Sequence, residues 1–361
     1  MILAINRYFT PETTYDEVFS PERRDHASVI HRACRDFFER RGIQVLPVSC
    51  VDPADPAVDY VLYFDTCWQR FFKDRFLHRI PFEKRVLLLW EPPNVNPTLY
   101  YLSYFRRQFS VVFSWSERMT ARYGCIPYPI FPWADPQIYR HVTSFPRELS
   151  RRPLFLAAVS SNRWAYMPTS TYRLRRRLYR ELEHICPGEF HLYGQGWNKP
   201  CVFYEKWFGH PRFTSYRGAL EWAVEPKLEL LKRYKFVLVV ENTLNEPGYV
   251  DCKLIDCLCA RCVPVYLGWT GAGKYVAPDC YVNLRDFSTL RTLVAYLHGM
   301  TESEYAAYQD AIDRFLNGAQ GYHYSFENAF GIIYSHLYEK RSPVRADRSY
   351  CDASLNTTLC V

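Results

Sequence analysis

Glu241, Asn242 and Lys253 place a carboxylate, an amide and an ammonium group around one loop, and Glu91 adds a second carboxylate beside two prolines. Such a set can bind an anion, hold hydroxyl groups and move a proton. The flanking residues fix the loop. Lys235–Val240 is a short apolar, β-branched run that reads as a buried strand. It breaks at Glu241-Asn242 into a polar segment carrying Pro247 and Gly248. Tyr249–Ala260 then has helical spacing, with Val250, Leu254, Cys257 and Leu258 on one side, and Val263–Leu267 is a second buried strand closed by Gly268. Strand, loop, helix and strand make a βαβ crossover, so the loop falls at the carboxyl end of a parallel strand, where open α/β sheets bind ligands. The helix N-terminus offers unpaired N–H groups and a positive dipole end, with Lys253 in its first turns. That combination points to a phosphate-bearing ligand.

The elements around this unit repeat the pattern. Met1–Asn6, Ile43–Val48, Val58–Phe64, Arg85–Trp90 and Val111–Trp115 read as strands, and Arg24–Arg41 as a helix ended by Gly42. Alternation of strands and helices over residues 1–148 predicts one Rossmann-like domain. Residues 149–340 predict a second such domain, with strands at Leu154–Ser160 and Phe190–Gly194, and residues 341–361 read as a tail. Phe326–Tyr338 is a last helix free to cross back onto the first domain. Glu91 stands where the strand RVLLLW stops, because neither Pro92 nor Pro93 can donate to a ladder. On pattern alone it is either a base at the sheet's carboxyl edge or a solvated loop carboxylate. Asp65, at the end of the strand VLYF, is the next carboxylate in line. Thr171–His184 is an arginine-rich helix whose residues Arg173, Arg175 and Arg176 are either anion ligands or a solvated face.

The run YKFVLVVENTLNEPGYVDCKLIDCLCARCVPVYLG, from Tyr234 to Gly268, resembles the donor-binding signature of the α1,3/α1,4-fucosyltransferases, glycosyltransferase family 10. EPPNVNP after RVLLLW is similar to the family's segment bearing its general base. Ser161-Asn162 resembles the family's VSN, and Tyr193-Gly194 its YG. The resemblance implies a GT-B fold, two Rossmann-like domains with parallel sheets facing across a cleft. It implies an inverting transfer of a sugar, L-fucose from GDP-L-fucose, to a hydroxyl of a glycan acceptor. By motif position Glu91 is then the base, and Lys253 and Arg175 stabilise the leaving diphosphate. Glu241, Asn242, Tyr249, Tyr193, Gly194 and Asn162 join them in binding the donor. Arg175 is the best match to the family's arginine, with Arg173 and Arg176 open if the register slips. One departure stands out: the family's Glu before the Lys is Cys252 here and its Thr is Asp251, which leaves the identity of the sugar open.

Composition narrows the classes. The chain has 361 residues, 48% hydrophobic and 17% aromatic, enough for two domains with real cores, and a net charge of +7 that is too dispersed for a nucleic-acid groove. Its 13 cysteines are odd in number, and Cys34, Cys257 and Cys262 fall on predicted buried faces, which suits a reducing compartment. No apolar run is long enough for a membrane span and no signal peptide opens the chain, so a cytoplasmic protein is expected, with peripheral membrane attachment left open. Cys257, Cys259 and Cys262 lack a second ligand pair at zinc spacing. There is no Asp-x-Asp, no G-x-G-x-x-G and no Walker loop, so no metal and no tightly bound cofactor are expected. Two alternatives remain: an exostosin-like transferase using a UDP sugar, and a glycan- or nucleotide-binding protein without turnover.

Overall fold

The computed structural model describes residues 1–7, 14–66, 71–142, 144–210 and 212–339, so the expected tail lies outside the described residues. The first half builds a six-stranded sheet from β1 (Ile2–Arg7), β2 (Gln44–Pro47), β3 (Val58–Phe64), β4 (Arg85–Leu89), β5 (Val111–Ser114) and β6 (Ile126–Pro127). The second builds another from β7 (Leu154–Val159), β8 (Phe190–Tyr193), β9 (Tyr216–Gly218), β10 (Tyr234–Val240), β11 (Val263–Leu267) and β12 (Val282–Asn283). The orders are β2-β1-β3-β4-β5-β6 and β12-β11-β10-β7-β8-β9, and every pairing is parallel. Two parallel Rossmann-like sheets facing across a cleft are the GT-B arrangement. In each sheet the chain first winds one way and then returns to the other side of its first strand. That reversal lies between β1 and β3 and between β7 and β10, the places where such sheets open a crevice at their carboxyl ends.

Parallel strands are covered on both faces, so they read as unbroken apolar runs rather than alternations. Val86, Leu87, Leu88 and Leu89 of β4 are all buried, at about 2 kcal/mol for each side chain removed from water. The edge strands β6, β9 and β12 are two or three residues long and carry no period that a sequence reading can detect.

Three apolar clusters hold the layers. One packs the Tyr172–Ile185 and Leu290–Gly299 helices on the outer face of the second sheet. Another packs the His26–Glu39 helix and the Phe326–Tyr334 helix on the first sheet, with Phe330 against Phe37 and Phe38. The last helix therefore does cross back, and by packing it belongs to the first half rather than to 149–340. The third cluster runs through both halves, joining Leu87 and Leu89 to Val237, Leu254 and Leu258.

Polar contacts tie the same seam. Asn94 donates to the Asn242 carbonyl (2.8 Å), Glu117 N–H to the Pro247 carbonyl (3.1 Å), and Ser116 and Arg118 to the Glu246 carboxylate (2.9 Å each). Gly248 is required here. Its φ is +86°, and a Cβ would lie 2.4 Å from the Trp115 carbonyl oxygen.

Candidate active site

The seam opens into a cleft of ≈ 950 Å³, counted to its mouth, and strand ends line it. From the first half come Trp90, Glu91 and Pro92 after β4. From the second come Ser160 and Ser161 after β7, Gly194 and Gln195 after β8, Asn242 after β10, and Tyr249, Asp251, Cys252 and Lys253. Among the expected site residues, Glu91, Arg175, Lys253, Asn242, Tyr249 and Gly194 reach this cleft, and Glu241, Tyr193 and Asn162 do not line it.

Glu91 is set by its neighbour. Its N–H donates to Asp65 Oδ2 (2.7 Å) and its carbonyl accepts from the Tyr100 hydroxyl (2.9 Å), so the backbone is held at both ends. Burial raises the Glu91 pKa above the usual value; Arg163 draws it back, Asp251 opposes, and Lys253 again lowers it. Asp65 has the other task. Its carboxylate accepts from the N–H groups of Thr66, Trp90 and Glu91 and from the Asn96 amide, and it is 3% exposed. A buried residue with its oxygens committed to a loop is a brace, and Asp65 does not line the cleft.

The loop after β10 corrects three expectations. Glu241 is fully buried (0% exposed); its Oε1 accepts from the Asp251 N–H (3.0 Å), and it faces no ligand space. The helix is Cys252–Cys259, so Tyr249 precedes it, and Asp251 is its N-cap. Asp251 accepts from Cys252 N–H (2.7 Å), so the terminus offered to a phosphate is already met by a carboxylate of the chain. Charges divide accordingly. Burial and the nearby Asp251 push Glu241 up to about 8, against Lys253, so it holds a proton at neutral pH. Asp251 is drawn down to about 2 against burial by Lys253, to which its carboxylate is paired. Lys253 has Glu241 Oε2 at 3.9 Å as a second neighbour; burial lowers its pKa, but its partners, the Asp251 carboxylate first among them, outweigh this and keep it protonated. Cys252 lines the cleft as a thiol, its pKa pushed well up by burial and Asp251.

The arginines separate cleanly. The Arg175 guanidinium is 2% exposed and donates to the Val240 carbonyl (3.0 Å from Nε) and to Asn242 Oδ1 (2.8 Å). It reaches the cleft at the end of β10. Arg176 turns away to Asn162 Oδ1 (3.0 and 2.8 Å) and Glu205 (2.5 Å), and Arg173 lies 4.4 Å over the Trp164 ring. Asn162 therefore anchors a helix, and its amide donates to the Gly196 carbonyl (3.0 Å). Tyr193 bonds the Tyr234 hydroxyl at 2.9 Å. Gly194 serves the close approach of β7 and β8, since a Cβ would sit 2.1 Å from the Ser160 carbonyl oxygen.

Sequence reasoning missed Arg163, Lys227, His26, Trp133 and Trp222, all of which line the cleft. Arg163 directly follows the Ser161-Asn162 pair and was within reach of that reading. Lys227 sits inside a helix and gives no sign of being buried against Asp256 (2.5 Å). Cys257, Cys259 and Cys262 are core residues, with thiol–carbonyl contacts of 3.4 Å (Cys262 to Cys257) and 3.6 Å (Cys259 to Ala134). Among the described residues no group of His, Cys, Asp and Glu is placed to hold a metal. Nor is any helix there long and apolar enough to cross a membrane.

Residues 156–315, which carry Arg175, Asn242 and Lys253, match glycosyltransferase family 10 (fucosyltransferase) C-term. Through this stretch the chain is similar to glycosyltransferase family 10. Similar relatives include alpha-(1,3)-fucosyltransferase FucT of Helicobacter pylori, 32% identical over 114 residues, which are 32% of this chain and 24% of that one. Alpha-(1,3)-fucosyltransferase 7 of Mus musculus is 36% identical over 83 residues, 22% of this chain and 21% of that one. The matches thus span about a quarter of the length of these curated relatives. Among solved structures, a crystal structure of an alpha1,3-fucosyltransferase superimposes with a TM-score of 0.50 at 18% identity, covering 93% of this chain and 90% of that one. An alpha-glucosyltransferase in complex with UDP gives 0.61 at 12% identity, covering 93% and 99%. At these identities the likeness is one of fold.

Proposed function

We propose that this protein is an inverting glycosyltransferase that moves L-fucose from GDP-fucose to a hydroxyl of a glycan acceptor, without a metal ion. One observation carries the reading: a desolvated carboxylate from the first half, Glu91, and two cations from the stretch similar to family 10, Arg175 and Lys253, line one cleft. In the reaction the acceptor oxygen bonds to the anomeric carbon as the bond from that carbon to the diphosphate oxygen breaks. Glu91 takes the acceptor proton, and GDP leaves with the electron pair. Negative charge grows on the diphosphate, where Lys253, Arg175 and the exposed Arg163 supply the positive charge that a metal supplies elsewhere. Tyr249 and Asn242 bound the donor side, and Cys252 stands where the family has a carboxylate, next to the sugar.

A nucleotide thermal-shift panel tests the donor. GDP at a hundredfold excess over its Kd stabilises the folded state by about 2.7 kcal/mol, and UDP, ADP and NAD are expected to give far less. Lys253→Ala should lose most of the GDP shift, with no rescue by Mg2+. Equal protection by UDP would contradict the guanosine assignment.

A further inference from the structure

Residues 97–109 of the first half are apolar on two sides. Inward, Leu99, Tyr100, Phe105 and Phe109 are buried in the cluster that both halves share. Outward, Tyr101, Leu102 and Tyr104 stay in water, at 49%, 55% and 56% exposure. Fraying does not explain this. The Leu102 N–H donates to the Thr98 carbonyl (3.0 Å) and the Phe105 N–H to the Leu102 carbonyl (3.3 Å), so the backbone between the Pro97–Tyr101 and Ser103–Arg106 helices is fixed. A helical stretch that is apolar all round belongs in a core or against a membrane, and a contiguous apolar patch on a surface marks a place of contact.

Neighbouring segments extend the patch. Phe72, 64% exposed, lies 5.8 Å from the Phe105 ring, and Tyr104 lies 6.1 Å from the Phe71 ring. Arg106 donates to the Leu99 and Tyr100 carbonyls (2.8 and 3.0 Å) and lies 4.0 Å over the Tyr123 ring, which joins that exposed tyrosine to the same patch.

The charge offered around these rings has one sign. Residues 97–110 contain no Asp or Glu, and Lys73, Arg107 and Arg122 are exposed. In the flanking stretches, residues 71–76 and 117–123, the acids are Asp74 and Glu117, and both are taken. Asp74 accepts from the Asn6 amide (3.0 Å) and the Phe76 N–H (2.9 Å), and Glu117 from Lys274 (2.6 Å). Aromatic and aliphatic side chains set among cations suit the boundary of an anionic bilayer, where the rings enter the headgroup layer and the cations meet lipid phosphates and carboxylates. The ring geometry disfavours a strand of bases. Phe72 and Tyr104 meet Phe105 edge-on, at 77° and 85°, while Arg118 lies 5.8 Å over Tyr101 and Arg106 covers Tyr123, so stacked bases would find few open ring faces.

We propose that this aromatic and basic face docks the protein on an anionic lipid bilayer. Tyr100 donates to the Glu91 carbonyl (2.9 Å), so a membrane bound here lies one loop from the Glu91 side of the cleft. Docking of this kind needs neither nucleotide nor acceptor, so it stands or falls apart from the transferase reading.

The test is flotation of the whole chain, without nucleotide, with vesicles of phosphatidylcholine alone or with about one-third phosphatidylserine. Wild type should bind the mixed vesicles about tenfold more strongly than phosphatidylcholine alone, and added salt should weaken that binding. Leu102→Ser with Tyr104→Ser should lower the partition coefficient about tenfold or more. Arg107→Glu with Arg122→Glu, which leaves the apolar packing alone, should remove the preference for phosphatidylserine. Both variants should keep the wild-type Tm. Phe203→Ser with Trp207→Ser, at two rings of the second half that are each 74% exposed, should bind as wild type does. Failure of the wild type to float with mixed vesicles, or flotation unchanged in both patch variants, would overturn the docking face. So would loss of binding in Phe203→Ser with Trp207→Ser alone. Capture of single-stranded DNA in place of vesicles, lost in the patch variants, would give the face to nucleic acid and overturn the bilayer.

Discussion

Asp65 gathers the N–H groups of Thr66, Trp90 and Glu91 and the amide of Asn96 on one buried carboxylate, and its own backbone is left-handed, at φ +64°. Asp tolerates that conformation better than most residues, and the turn directs its side chain back under the β4 loop. Burial pushes Asp65 up to about 7 even though the Glu91 N–H pulls it down. Glu91 has a side chain free to the cleft, and its raised pKa keeps it a stronger base than a solvated carboxylate. The two residues should therefore separate experimentally. Glu91→Gln should lower turnover by about a hundred- to ten-thousandfold with Tm and GDP affinity near wild type. Asp65→Ala should lower Tm and activity together, since it leaves four donors without their acceptor. Full activity in Glu91→Gln would remove the base from the account. Glu91's place at the end of RVLLLW was legible because two prolines stop the strand there. Asp65's role was not, because a brace and a base are the same side chain until the hydrogen bonds are seen.

The Cys252–Cys259 helix joins the two halves through its polar face. Asp256 accepts from the N–H groups of Trp133 (3.1 Å) and Ala134 (2.9 Å) while pairing with Lys227, and Asp251 caps the helix next to Glu241. Glu241 yields a pH prediction. Its folded pKa of about 8 lies above the ordinary 4.5, so the folded state keeps a proton that the unfolded chain has released. The stability linked to it is therefore complete below the unfolded value and is lost as pH rises toward the folded one. Asp251, held down to about 2, acts in the opposite sense and only in acid. Glu241→Gln keeps an acceptor for the Asp251 N–H and removes the titration. The variant's Tm should gain on the wild type as pH rises from 5 to 8, and parallel Tm curves would contradict the protonated state. The existence of this helix was readable from Val250, Leu254 and Leu258. Its start was not, because Tyr249 and Val250 are apolar in the helical register yet belong to the loop that Gly248 turns against Trp115.

On the scale of the molecule, strand ends from two sheets supply the cleft, and one apolar cluster runs beneath both. Most of this was in the sequence, since buried parallel strands are long apolar runs that need no partner to be recognised. What escaped were contacts between distant segments: His26 with Trp222, Lys227 with Asp256, and Arg163 with the field of Glu91. None of these leaves a period or a motif in the chain. The cleft has the Glu91 carboxylate on one half and the Arg175 and Lys253 cations on the other, so the central claim concerns the assembled cleft. It is tested most directly by following nucleotide release from GDP-fucose and from UDP-glucose, each with and without a pyranoside acceptor. The account predicts GDP release from GDP-fucose that the acceptor accelerates, with an inverted glycosidic product, and no UDP release. Release of UDP from UDP-glucose, with GDP-fucose left intact, would contradict it.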